Sequence, residues 1–247
     1  MPSSAQIAEA GKAAQNVVRA AALKRSLTAW RFLDPRRIPE TTGSWSLILL
    51  EIIRSFRTQS AGQALVTYND LRPGDAWFQP IPELNTDRIL HSLLVTGPGR
   101  ILQLQNQGMK PDEAHAQAFK LHARAVSSAV VDAGRELTES AIHEDQTALG
   151  FARMPSPGAC AFCLMLASRG AVYSKTTVLT TTSRSKKRGS GKSFHEGCNC
   201  SMFPVFSKDQ ELPDRIADAE RLYEKASAEG GGTKAILAEM RKLGGVK

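Results

Sequence analysis

The sequence predicts an α+β protein: a mainly helical N-terminal part, a small α+β module stapled by cysteines and a histidine, and a charged helical tail. Three observations lead there. Alanine-rich stretches with apolar residues at helical spacing dominate the first 147 residues. Short β-like runs and turn residues cluster after Ala148, together with every cysteine of the chain: Cys160, Cys163, Cys198 and Cys200. The last 41 residues return to charged helical patterning, split by three consecutive glycines. The expected divisions are therefore 1–147, 148–206 with a basic insert at 175–192, and 207–247.

The first element, "SSAQIAEAGKAAQNVVRAAALKRSLTAW", has a serine cap and Ile7, Ala14, Val17, Ala21 and Leu27 as its expected inner stripe. "DPRRIPETTGS" (34–44) is expected to be a loop, punctuated by proline and glycine. An almost wholly apolar turn, Leu47–Ile53, then lies inside a helix reaching about Asp70, and apolarity all round implies burial on several sides. "LRPGDAWFQP" breaks it. "NTDRILHSLLVTG" and "GRILQLQNQG" read as two shorter helices, each ended by glycine. The stretch 110–145 is the clearest helix: Pro111 suits the first turn, Asp112 and Glu113 favour the positive end of the dipole, and Ala118, Leu121, Ala125, Ala129 and Val130 make an inner stripe.

Beyond Ala148, "LGFARM", "AVYS" and "CSMFPVF" read as strands, "PSPGA" as a turn, and "CAFCLMLASRG" as a helix starting at the cysteines and stopping at Gly170. The tail holds two charged helices.

The chain carries 32 basic against 24 acidic residues, a formal charge of +8, which favours contact with something acidic without requiring nucleic acid. Its most apolar stretch, 45–56, is too short to span a bilayer and carries Glu51 and Arg54, so no membrane partner is expected. The N-terminus lacks a basic region followed by a continuous apolar one, and a soluble protein made in a reducing cytoplasm is expected.

The cysteine pattern is Cys-x2-Cys, then 34 residues, then Cys-x-Cys, with His195 three positions before Cys198. Zinc takes four tetrahedral ligands, usually Cys or His. Five candidates compete for four places: Cys160, Cys163 and Cys198 come first, and Cys200 and His195 share the fourth. A strand ending at Cys200 would turn Cys198 and Cys200 to one face, which suits chelation. A closed zinc site would be structural and could contribute on the order of 10 kcal/mol to folding. Plain structural or redox-sensitive cysteines are the alternative. A Cys–His protease is another, with Cys160 or Cys163 as nucleophile, His195 as base, and Glu144, Asp145 or Glu196 as the orienting third group.

Two motifs fail on inspection. "GSGKS" (189–193) lacks the first glycine of a phosphate-binding loop, Lys186 standing there, and no helix start follows. "PGACAFC" matches half of a zinc deaminase pattern, but His143 is followed by Glu144 and Asp145, so the glutamate is misplaced. The basic stretch with Arg184, Lys186, Lys187, Arg188 and Lys192 reads as a solvated loop, or as a salt-sensitive contact to phosphates indifferent to base sequence.

The arrangement "LGFARM…CAFCLMLASRGAVY…FHEGCNCSMFPVF" (149–206) resembles head morphogenesis proteins of tailed bacteriophages, and more closely the actinobacteriophage version of the Mu F-like minor capsid family. "LLVTGPGRILQLQNQG" and "AVSSAVVDAGRELTESAI" fit the same group, so the likeness covers most of the chain. Its most specific part is C-x2-C-x2-L-x2-R-G-x-x-Y with H-x2-C-x-C and a later proline, Pro204. The resemblance implies a virion or procapsid protein, assembled in the bacterial host cytoplasm and acting at the portal or inside the head. Its implied partners are portal, scaffold or major capsid protein, and packaged DNA through the basic loop. Relatives of this kind are often labelled capsid maturation proteases; here that would rest on Cys163 and His195. The basic insert is longer than the family leads one to expect.

Overall fold

The structure is a computed structural model, and it describes residues 2–174, 200–228 and 230–246. The expected fold class is what it shows: helices carry most of the chain, and one small antiparallel sheet accompanies them. In chain order the elements are α1 (Ser4–Trp30), α2 (Ile38–Leu71), α3 (Thr86–Leu94), a π-helical turn (Val95–Gly99), α4 (Arg100–Asn106), α5 (Pro111–Glu144), β1 (Gly150–Met154), α6 (Ala161–Ala167), β2 (Tyr173–Ser174), β3 (Ser201–Val205), α7 (Asp214–Ser227) and α8 (Thr233–Gly244).

Two compact units divide these elements. Unit 2 comprises Gln15–Gly62 and Ile81–Gly134. Its core gathers Trp30, Leu33, Trp45, Leu49, Ile53, Leu93, Ile101 and Val126. At its centre Trp30 stacks on His115 and on His122, with ring centroids 4.9 and 4.7 Å apart, and meets Trp45 edge-on at 5.9 Å. His122 is fully buried, and no group among the described residues hydrogen-bonds either ring nitrogen. Burial holds its pKa down at about 3, so the ring is neutral.

Unit 1 comprises Met1–Ala14, Gln63–Pro80 and Arg135–Lys247. Its sheet has the order β2-β1-β3, both pairings antiparallel, with Phe151 opposite Tyr173 on one side and Pro204 on the other. The central strand β1 is buried along its whole length. Pro204 is tolerated because β3 is an edge strand, where a missing N–H leaves no ladder bond unmade on the outer side. Gln210 completes that edge, donating to the Pro204 carbonyl at 2.9 Å and accepting from Phe206 N at 2.7 Å. Tyr173 ties β2 to α6 by donating to the Leu166 carbonyl at 2.6 Å. Helices α7 and α8 pack with α6 through Ala161, Met165, Leu222, Ala226 and Met240.

Several expectations are corrected. In α1 most inner positions are small: Ala8, Ala22, Ser26 and Ala29 are buried, with Lys12 and Trp30 the large exceptions, whereas Val17 and Leu27 lie exposed. A Cβ on Gly11 would stand 2.3 Å from Thr67 Oγ1, so this face is chosen for close backbone approach rather than for bulk. The loop expected at 34–44 is helical from Ile38, since Pro39 fits a first turn as readily as a loop. The apolar turn of α2 buries Leu49, Leu50 and Ile53 but leaves Leu47 67% exposed. The first short helix does not end at glycine: Gly97, Pro98 and Gly99 form the π-helical turn that leads directly into α4. Proline lacks the N–H of a regular helix bond, and the wider turn accommodates its ring. Gly97 is required there for another reason, because an added Cβ would fall 2.7 Å from the Trp45 ring. Lastly, β3 begins at Ser201, after Cys200, so no described strand ends at that cysteine.

Candidate functional site

Gly158, at φ +70°, turns the chain after β1 and delivers Cys160 to the N-cap of α6. Cys160 is extended there (φ −73°, ψ 160°), and its carbonyl accepts from Leu164 N at 3.0 Å, which is the first bond of the helix. Cys163 follows one turn along on the buried side. Cys200 arrives from the other end of the module, 40 residues beyond Cys160, immediately before β3. Cys160, Cys163 and Cys200 pack into one cluster with Ala159 and Leu164. Cys163 and Cys200 are each 4% exposed. No disulfide joins the three.

The structure thus brings together three of the five candidate ligands. His195 and Cys198 lie outside the described residues, as do Glu196 and the basic residues Arg184, Lys186, Lys187, Arg188 and Lys192. Among the described residues no group of three or more His, Cys, Asp or Glu side chains is arranged to hold a metal ion. The donor chemistry suits zinc in kind: three soft sulfur ligands come from a Cys-x2-Cys turn and a strand start.

Sequence reasoning missed Arg135. This residue of α5 is 7% exposed, and it donates to the Cys200 carbonyl through Nε at 2.9 Å and Nη2 at 2.6 Å. The segment "AVVDAGREL" carries no local signal for it, since Asp132 and Glu136 flank the arginine as on an ordinary solvated face. Arg153, buried within β1, lies over the Tyr173 ring at 5.8 Å. On α5, burial and the neighbouring Glu136 charge push the Glu139 carboxyl up to about 7, with Arg153 pulling the other way.

The proposed third groups of a protease are employed otherwise. Asp145 is 1% exposed and accepts from Tyr68 Oη at 3.1 Å, Arg72 Nε at 2.7 Å, Thr147 N at 2.9 Å and Thr147 Oγ1 at 2.8 Å. Burial alone would raise its pKa, but the bonds from Arg72, Thr147 and Tyr68 outweigh it and hold the carboxyl at about 2. Burial, helped by the Asp145 charge, pushes the Tyr68 hydroxyl far above its ordinary range. Arg72 also reaches the Asp75 carbonyl and covers Trp77 at 5.5 Å. Gln79 donates to Glu144 at 3.4 Å. This network pins the segment after α2 against the end of α5 and is structural in character.

A family model described as VG15 protein matches residues 1–226. The chain belongs to the VG15 protein family. The VG15 family is a family of phage proteins, and membership makes this chain a phage protein. The match spans all three strands and the helices from α1 to nearly the end of α7. No curated protein and no solved structure matches the chain. No helix among the described residues is long and apolar enough to cross a membrane.

Proposed function

We propose that this VG15 family protein is a minor capsid or head morphogenesis protein, acting at the portal or inside the procapsid, whose unit 1 is fastened by a structural zinc. One observation carries the zinc reading: thiols 40 residues apart in sequence, Cys160 and Cys200, share a buried cluster with Cys163. When bound, the metal supplies a cross-link worth on the order of 10 kcal/mol to a small fold. The chain's own residues do the rest. Helix α6 presents Cys160 and Cys163 from its first turn, the start of β3 presents Cys200, and His195 and Cys198 are the candidates for the remaining place. The resemblance of the 149–206 motif to Mu F-like proteins, within a phage family, supports the head role. Portal, scaffold or capsid protein are the partners this implies, and the net charge of +8 suits packaged DNA or an acidic portal surface.

The maturation protease reading requires Cys163 as a nucleophile that substrate can reach. Its 4% exposure and its packing against Ala159 and Cys200 favour a ligand or core role instead. The test is metal analysis of the purified full chain, combined with co-expression beside the neighbouring capsid and scaffold proteins. About one zinc per chain, with association and no cleavage, is the expected result. Cleavage lost in Cys163→Ser or His195→Ala while the fold survives would replace the head-protein reading with the protease.

A further inference from the structure

We propose that Arg135 is the positioning residue of the cysteine centre: it fixes the main chain at Cys200 so that this thiol meets Cys160 and Cys163. The inference rests on the zinc reading above for its ligand. The geometry is specific. The registered pairing of β1 with β3 ends at Met154 opposite Ser201, so Cys200 lies one residue beyond the ladder. At that point two guanidinium donors, at 2.9 and 2.6 Å, converge on its carbonyl oxygen. They come from the 34-residue helix α5, so the anchor belongs to a regular element distant in sequence rather than to a neighbouring loop. Both residues are buried.

The choice of arginine has a charge component as well. Desolvating a guanidinium is costly, and a zinc centre with three thiolates keeps one net negative charge that offsets part of the cost. Groups behind the ligands of a metal commonly orient them, and losing such a group weakens affinity by about 10–100-fold. Lysine retains the charge but presents a single point; glutamine retains a donor but no charge. The two substitutions therefore separate the roles.

The experiment uses the full chain as purified. Zinc affinity is measured by competition with a chromophoric chelator for wild type, Arg135→Ala, Arg135→Lys and Arg135→Gln. Val205→Ala, in β3 but outside the thiol cluster, controls for stability lost without loss of positioning. Arg135→Ala is expected to weaken zinc at least about tenfold, with partial recovery in Lys or Gln and no change in Val205→Ala. In parallel, each protein is alkylated as purified, without chelator, and the rate at each cysteine is read by peptide mass spectrometry. Cys200 is expected to react several-fold faster in Arg135→Ala than in wild type or Val205→Ala. A wild-type chain without metal overturns the zinc reading alone, and the alkylation rates then decide the positioning claim. Equal Cys200 rates in wild type and Arg135→Ala, or equal zinc affinities, overturn it.

Discussion

At the scale of single residues, the strongest constraints come from charged groups held out of water. Asp145 accepts four hydrogen bonds while almost fully buried. Its folded pKa, about 2, lies below the ordinary 3.8, so the stability it contributes is present above pH 4 and is lost as pH falls through 2. Asp145→Asn keeps the shape but removes the charge facing Arg72, and it should cost about 2–4 kcal/mol in urea denaturation at pH 7. That deficit should shrink on acidification toward pH 2. Glu139 behaves in the opposite sense. Its folded pKa of about 7 exceeds the ordinary 4.5, so ionisation opposes folding: the penalty is absent below pH 4.5 and fully developed above pH 7. Glu139→Gln should therefore raise stability at pH 8, by about 1–2 kcal/mol, and leave it unchanged at pH 4. Melting temperatures of the two proteins that stay parallel between pH 4 and 8 would contradict this.

At the scale of elements, helical periodicity made α5 and the tail helices legible, and turn residues located β1 and the start of α6 to within a residue, whereas α6 ends at Ala167, short of Gly170. What escaped was decided by neighbours distant in sequence. The exposed Val17 and the buried Ala22 of α1 are indistinguishable by hydrophobicity from an ordinary stripe. Only the close approach at Gly11 and Thr67 shows why the small residues face inward. "VTGPG" reads as a stop, because glycine and proline usually end helices. Here the π-helical turn keeps the chain helical and seats Gly97 against Trp45 and Trp30. In the same way Cys160 and Cys163 could be named as candidates, while Arg135, the partner of Cys200, could not: nothing local links 135 to 200. The Gly97 reading is testable. On propensity alone Gly97→Ala should stabilise a helix by up to about 1 kcal/mol. With its Cβ only 2.7 Å from the Trp45 ring, it should instead destabilise by about 1–3 kcal/mol. Loss of the near-ultraviolet circular dichroism of Trp30 and Trp45 should accompany the change.

At the scale of the whole molecule, the two units are built on different principles, and the difference sets what metal removal should do. Unit 2 has one continuous apolar core around Trp30, Trp45 and Leu49, and it contains none of the cysteines. Unit 1 divides its buried side chains among several small clusters, and its strands are five, two and five residues long. A two-stranded piece is marginal in water, and a small sheet holds only through a hydrophobic face or packing against helices. The cysteine cluster joins α6 to the start of β3, so a zinc there would close a loop of about 40 residues, the kind of closure that constrains an unfolded chain most. Chelation of zinc from the full chain should consequently abolish hydrogen-exchange protection at β1, α6 and β3. The amides of α3, α4 and the Pro111–Gly134 part of α5 should keep theirs. Re-addition of one equivalent of zinc should restore the lost protection. If β1 and β3 stay protected after mass spectrometry confirms that the metal has left, the sheet is held by Arg135, Tyr173 and apolar packing alone, and the cysteines are core residues rather than a staple.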